Sequence, residues 1–242
     1  MKSINLFVIN GTMATGKTSL IKEIKNQNIN VVNKIHFLDE ENFYKFKKEH
    51  YKNLKIKEQI DNFNFSVQVY LLNNFMSLLT KTISDFVNND ISEIDIVSDT
   101  FPITTGIIFT TFKRQFDLIN KNEYDILMYK YDVAIKDLGK IFNLINVNEI
   151  KFNVFHYYRI IEYNYGLQNI KIRSLDEFDF YNKNLDYYKT INEFMSNSQF
   201  APEKVNNIFK LIANTFEYSL QKINCKEDYD IYNKVILNKL YQ

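Results

Sequence analysis

Between Ser3 and Asn10 apolar residues stand at Ile4, Leu6, Phe7, Val8 and Ile9, a short, nearly continuous run that predicts a buried strand. A glycine-bearing stretch follows, then a helix from about Lys17 to Asn26. A second strand is predicted over residues 31–38. From Asn42 to about Asn88 the pattern is helical, with a break near Asn62; Val67, Leu71, Leu72, Phe75, Leu78 and Leu79 recur at spacings of three and four. Residues 93–98 predict a third strand ending at Asp99, and Pro102 marks the turn after it. Two helices fill 104–146, and a fourth strand covers 151–157. A polar, aromatic, irregular stretch then runs to about Asp179. Helices near 182–196 and 202–214, a fifth strand at 216–223 and a last helix at 228–240 complete the order. Strands alternating with helical stretches imply a parallel sheet covered on both faces. No internal repeat and no linker interrupts the pattern, so residues 1–242 are expected to form one domain.

Composition narrows the function only a little. The chain has 242 residues, 45% hydrophobic and 16% aromatic, which is ample for a core of this length. The formal net charge is +1, so no strong field points to nucleic acid or to an anionic membrane. Cys225 stands alone, with no partner for an internal disulfide and no companion for a metal, which suits a reducing, cytoplasmic setting. No apolar run approaches the roughly 20 residues needed to span a bilayer. The N-terminal apolar stretch lacks a small-residue cleavage site, so no signal peptide is expected. Asn, Ile, Lys, Tyr and Phe are abundant, Trp is absent, and Arg occurs only at Arg114, Arg159 and Arg173. These skews favour AT-rich codons, as in the genome of a large DNA virus or a parasite; for a viral protein the setting would be the host cytoplasm.

The chemistry is concentrated after the first strand. Gly11-Thr12-Met13-Ala14-Thr15-Gly16-Lys17-Thr18 fits G-x-x-x-x-G-K-[ST] in full. Glycines at this spacing let consecutive N–H groups turn inward around a phosphate, and the following helix adds the positive end of its dipole. Lys17 would reach the β- and γ-phosphates, and the Thr18 hydroxyl would face Mg²⁺. The expected nucleotide-binding set is Gly11, Thr12, Ala14, Thr15, Gly16, Lys17, Thr18 and Ser19, with the Lys17 side chain exposed at the loop. A chance match is on the order of one in a thousand. The strand before the loop and the helix after it are both in place, which separates it from an ordinary glycine turn.

Downstream residues divide the classes that use such a loop. No Asn-Lys-x-Asp is present for guanine, and the third strand ends in Ser98-Asp99-Thr100 rather than in the Asp-Glu of a motor ATPase. A small chain with long helices after strand two suits a small-molecule kinase. From about residue 4 to 195 the order of motifs resembles the deoxynucleoside kinase family. Glu41-Asn42-Phe43-Tyr44-Lys45-Phe46 keeps the acid and the large aromatic of that family's Glu-Pro-Val-x-x-Trp. The stretch FNFSVQVYLL places Gln68 and Tyr70 as in Phe-x-Phe-Gln-x-Tyr. Asp99 stands where an acidic-Arg-Ser motif closes the third strand, and Arg173, Glu177 and NLDYY at 184–188 follow in the order of an arginine-bearing lid and a Tyr-Leu helix.

The resemblance implies a P-loop kinase fold, a five-stranded parallel sheet with helices on both faces, and a lid at about 159–180. It implies transfer of the γ-phosphoryl of ATP, with Mg²⁺, to a deoxynucleoside 5′-hydroxyl in nucleotide salvage, with a preference for pyrimidines, by a homodimer that holds no nucleic acid or membrane. Glu41 would take the hydroxyl proton, although Asp39 and Glu40 compete for that role. Gln68 would read the base, Phe46 and Tyr70 would lie against it, and Asp99 would hold Mg²⁺ with Thr18. Lys17 and Arg173 would clamp the phosphates. Arg159, just past the fourth strand, is either a second phosphate contact or an exposed cation. The three histidines, His36, His50 and His156, are scattered and suggest no metal site or triad. The chain departs from the family at Thr100, Asn42 and Phe75, where the pattern has Arg, Pro and Arg. A thymidylate or other nucleoside monophosphate kinase needs cations for the acceptor phosphate, and Thr100 supplies none. A catalytically reduced nucleotide-binding protein is the third reading.

Overall fold

The computed structural model describes residues 2–28, 35–38, 56–173, 179, 181–197, 200–212, 216–225, 234, 236–237 and 240. Five strands, β1 (Ser3–Gly11), β2 (Ile35–Leu38), β3 (Glu93–Asp99), β4 (Lys151–Ile160) and β5 (Glu217–Asn224), pair all-parallel in the order β2-β3-β1-β4-β5. Parallel neighbours need crossovers, and the chain supplies them as helices. These are α1 (Lys17–Asn28), α2 (Ile56–Asn88), α3 (Pro102–Gln115), α4 (Lys121–Val147), α5 (Tyr163–Arg173), α6 (Leu185–Asn197) and α7 (Phe200–Ile212).

β1 is central, which explains its run of apolar residues on both sides. Ile4, Leu6 and Val8 face one core with Leu72, Phe75, Leu79 and Ile83 of α2, Leu127 and Leu138 of α4, and Phe209 of α7. Phe7 and Ile9 face the other, with Leu20, Ile21 and Ile24 of α1 and with Ile236, Leu237 and Leu240. A third cluster gathers Ile108 of α3, Tyr158 of β4 and Tyr187, Ile191 and Met195 of α6. Phe209 joins α7 to the first core through rings at 5.3 Å from Phe101 and 5.5 Å from Phe152.

Several boundaries differ from the expectation. α2 runs unbroken through Asn62, because one Asn costs only a fraction of a kcal/mol where no Pro or Gly intervenes. Pro102 opens α3 instead of marking a turn; its fixed φ and missing N–H suit a first helical position. α4 begins with a capping box, Asn120 Oδ1 accepting from Glu123 N and Glu123 Oε2 from Asn120 N. β4 is three residues longer than expected and takes in Arg159. The stretch read as irregular contains α5, whose Gly166 gives it little helical propensity; a Cβ there would lie 2.5 Å from Tyr188 Oη, so close packing explains the glycine. The expected lid at 159–180 thus begins inside the sheet.

Register decides what meets at the carboxyl edge of the sheet, where open parallel sheets bind ligands. Ile9 lies opposite Asp99, Gly11 opposite Arg159, and Arg159 opposite Ile223. The glycine loop, the end of β3 and the end of β4 are therefore neighbours.

Candidate active site

The loop from Gly11 to Gly16 is built on backbone that few residues tolerate. Gly11 has φ 135° and Gly16 φ 76°, and Ala14 sits at φ 58° without being a glycine. At Gly11 a Cβ would come within 1.8 Å of the Arg159 carbonyl oxygen, so no side chain fits. Loop N–H groups and the first turn of α1 make a phosphate cradle only if the loop carbonyls face away from it. Several of them are already engaged by donors of the protein. Thr12 O accepts from Thr15 Oγ1 at 3.1 Å, Ala14 O from Asn169 Nδ2 at 3.2 Å, and Thr15 O from Arg159 Nε at 3.0 Å. Thr12 N donates to Arg159 O at 2.9 Å, and Ile161 N donates to Thr12 Oγ1 at 3.1 Å. Asn192 Nδ2 in turn holds Ile161 O. The first turn of α1 contains no acidic residue that would compete for its N–H groups.

Lys17 is not exposed as expected. It is half-buried, and its ammonium lies 2.7 Å from Thr12 O, 3.4 Å from Gly11 O and 3.5 Å from Thr15 Oγ1. The side chain curls back onto the loop, whose carbonyls accept from its ammonium. Thr18 Oγ1 donates to Asp99 Oδ2 at 3.2 Å, joining the loop to the end of β3. Asp99 is only 3% exposed. A hydroxyl and a carboxylate are hard oxygen donors of the kind Mg²⁺ takes together with phosphate oxygens and water, so the pair fits the ion. Thr100, next in the chain, has φ 68°, a sparsely populated region for a β-branched residue. Its N–H bonds Ile9 O at 2.9 Å and its carbonyl accepts from Ser98 Oγ at 2.5 Å. The strained turn fixes the direction in which Asp99 enters the site. Ser19 is exposed on α1, and Thr12 is fully buried with its hydroxyl turned to β4.

Gln68 is buried in α2, and its Oε1 accepts from Tyr131 Oη at 3.3 Å. Burial pushes the Tyr131 phenol up to about 12, so it stays a donor across the ordinary pH range. Thr110 Oγ1 lies 3.4 Å from the same oxygen. Gly106 makes room for the ring: a Cβ there would meet Tyr131 Oη at 2.3 Å. Tyr70, two residues beyond Gln68, leaves the helix about 200° round from it, so the two do not share a face. Glu41 and Phe46, with Asp39 and Glu40, lie outside the described residues. Arg173 closes α5, and its side chain is likewise outside them. Among the described residues no cluster of three or more His, Cys, Asp or Glu side chains could hold a metal by itself.

Arg159 corrects the reading of an exposed cation: it is fully buried inside β4, beneath the loop. Nothing in its sequence neighbourhood, HYYRII, separates a buried from a surface arginine. The signal was the strand's true length, which register with Gly11 reveals. Ile161 acts through its backbone N–H and Asn169 through a side-chain amide on α5, and neither carries a motif.

No family model and no curated protein matches the sequence. Solved structures do. Deoxyadenosine kinase from M. mycoides, with products dCMP and a flexible dCDP bound, superposes with a TM-score of 0.52 at 19% identity, over 98% of this chain and 98% of that one. The same enzyme with bound dATP gives 0.54 at 18% identity, over 98% of this chain and 100% of that one. A P-loop on the central strand of a parallel sheet, matched over nearly the full length of both chains, means that this protein has the P-loop kinase fold of deoxyadenosine kinase.

Proposed function

We propose that this chain transfers the γ-phosphoryl group of ATP to the 5′-hydroxyl of a deoxynucleoside, with a pyrimidine preference, in nucleotide salvage. One observation carries the reading: a complete P-loop whose Thr18 hydroxyl meets the Asp99 carboxylate at the carboxyl edge of the sheet. The M. mycoides enzyme, which has the same fold, is named for deoxyadenosine and is described with dCMP as a product, and that supports a deoxynucleoside acceptor without choosing between purine and pyrimidine. The proposed unit is one domain over 1–242 with a lid at about 159–180, acting in the cytoplasm as a homodimer.

Each residue has a part in this scheme. The loop N–H groups and Lys17 hold the triphosphate; to do so Lys17 exchanges its bond to Thr12 O for phosphate oxygens. Thr18 and Asp99 would hold Mg²⁺, which when bound supplies charge neutralisation on the phosphoryl oxygens. Glu41 accepts the proton of the 5′-hydroxyl as it attacks in line, and Arg173 closes on the phosphates from the lid. Gln68 reads the base edge, with Phe46 beside it; Tyr70, on the other side of α2, does not share that contact. A nucleoside acceptor is neutral and asks for little cationic recognition, which accords with Thr100 standing where the family pattern has Arg. That same substitution favours the rival reading of a nucleotide-binding protein that has lost transfer.

The test is transfer of labelled γ-phosphate from ATP to a pool of deoxynucleosides, with thymidine monophosphate as a separate acceptor. Lys17→Ala should reduce turnover to background. Glu41→Gln should lower kcat by roughly 10²–10⁴-fold with little change in nucleoside affinity, because the amide keeps the shape but takes no proton. Label on the monophosphate alone would favour a nucleoside monophosphate kinase. ATP binding without any transfer would favour the reduced protein.

A further inference from the structure

Arg159 interrupts an apolar strand at a costly place. On the same face of β4, Phe155 and Tyr157 pack into the second core, yet the next position on that face is a fully buried guanidinium. Burying a charge costs several kcal/mol unless strong polar contacts compensate, and a leucine would fill the space without that cost. Two contacts of this residue hold the loop, and a third reaches the end of β5. Its carbonyl accepts from Thr12 N, its Nε donates to Thr15 O at 3.0 Å, and its guanidinium is within hydrogen-bonding reach of the Cys225 thiol at the end of β5. The charges of Arg159 and Lys17 both act to lower that thiol, against the rise that its burial causes.

The bond to Thr15 O has a geometric consequence. In a trans peptide the C=O and the N–H point in opposite directions, and no peptide among the described residues is cis. The carbonyl of Thr15 and the N–H of Gly16 belong to one such unit. Holding the carbonyl down toward Arg159 aims the Gly16 N–H up into the cradle. The bond is also charge-assisted, and an ionised donor on the carbonyl polarises the whole peptide, making its N–H a stronger donor to an anion.

We infer that Arg159 is a positioning residue for the triphosphate: it grips the outer face of the loop through Thr15 and delivers its charge to the phosphates through the Gly16 peptide, without touching them. The inference rests on the proposed triphosphate site and adds a residue to it. It separates two roles that the sequence left open for Arg159, since the cation is neither exposed nor required to contact phosphate.

The experiment measures binding of inorganic tripolyphosphate and, separately, of uncharged adenosine by calorimetry on the full chain. Arg159→Gln should weaken tripolyphosphate at least tenfold and leave adenosine within about threefold. Arg159→Lys, which keeps the charge, should hold tripolyphosphate within about threefold of wild type. Equal loss of both ligands in Arg159→Gln, or no loss of either, would overturn the inference, as would a folded lysine variant that loses tripolyphosphate tenfold. If the glutamine variant does not fold, the wild type still decides. The Arg159 Nε–H resonance should shift on adding tripolyphosphate, and a signal indifferent to saturating ligand would refute the coupling. A wild-type chain that binds no tripolyphosphate at all would instead remove the triphosphate site on which the inference stands.

Discussion

At the scale of single residues, Lys113 is a buried cation outside the loop and the site. It is 8% exposed and shares the buried face of α3 with Ile103, Thr104, Gly106, Ile108 and Thr110. Burial alone pushes its ammonium down to about 7 from the ordinary 10.5. Between those two values the unfolded chain binds more protons than the folded one. Stability therefore rises with pH across that window and is lost as pH falls from 10.5 toward about 7. Below about 7 both states carry the proton and the slope vanishes. Lys113→Met keeps the length of the side chain and removes the charge. The variant should melt higher than wild type at pH 7, and the gap should narrow steadily up to pH 9.5. That upper limit stays below the titration of the buried Tyr131 and Tyr157, both pushed up to about 12. Parallel melting curves against pH for the two proteins would refute the assignment. The stretch FTTFKRQF gives no hint of this burial, because Lys113 and Arg114 are adjacent cations and only the packing of α3 separates them.

At the scale of elements, α2, α3 and α4 are tied by one polar network in an otherwise apolar helical layer: Gln68, Tyr131 and Thr110. Gln68→Leu removes the acceptor of a buried phenol that keeps Thr110 as its other contact. It should lower stability by about 1 kcal/mol. On the proposed function it should also flatten the preference among deoxynucleosides; a lower melting temperature with an unchanged substrate ranking would leave Gln68 a purely structural residue. Helix ends offer a cleaner case. α4 closes in a Schellman motif, with Ile150 N bonded to Ile145 O and Glu149 N to Asn146 O. Glu149 occupies the left-handed position at φ 52°, and its side chain is exposed. Left-handed backbone costs an L-residue roughly 1–2 kcal/mol, partly offset by glycine's greater freedom when unfolded. Glu149→Gly should therefore stabilise by about 0.5–1 kcal/mol, read from the shift of a urea midpoint at constant slope. A midpoint that falls would mean that the exposed carboxylate contributes more than the backbone costs. The elements themselves were legible wherever periodicity was strong, as in β1, β3 and the apolar face of α2. Their ends were not, since caps and left-handed residues obey backbone geometry that a hydrophobic pattern does not carry. α5 was missed because Asn, Tyr and Gly dilute its propensity, and its packing on α6 and on the loop sustains it.

At the scale of the molecule, the two cores lie on opposite faces of the sheet and the candidate site spans its carboxyl edge, so ligand and fold share the same supports. β1, β3 and β4 each contribute to the cores and carry a site residue at or next to their ends: Gly11, Asp99 and Arg159. The P-loop and the parallel sheet were readable because they depend on local spacing and on alternation. The floor of the loop was not, because it is made by register between strands 148 residues apart in the chain, Thr12 and Ile161 being joined at 149. This sharing predicts how binding should appear in melting. A ligand at about a hundred times its dissociation constant stabilises by roughly 2.7 kcal/mol. For a domain of this size each kcal/mol moves the midpoint about 2–4 °C. ATP at that excess should therefore raise the melting temperature by about 5–10 °C. Lys17→Ala should abolish most of that shift while melting only slightly below wild type alone, because it also loses the bond to Thr12 O. A shift preserved in Lys17→Ala would place nucleotide binding elsewhere on the molecule. A large collapse of the unliganded variant would instead make Lys17 a strut of the loop first and a phosphate ligand second.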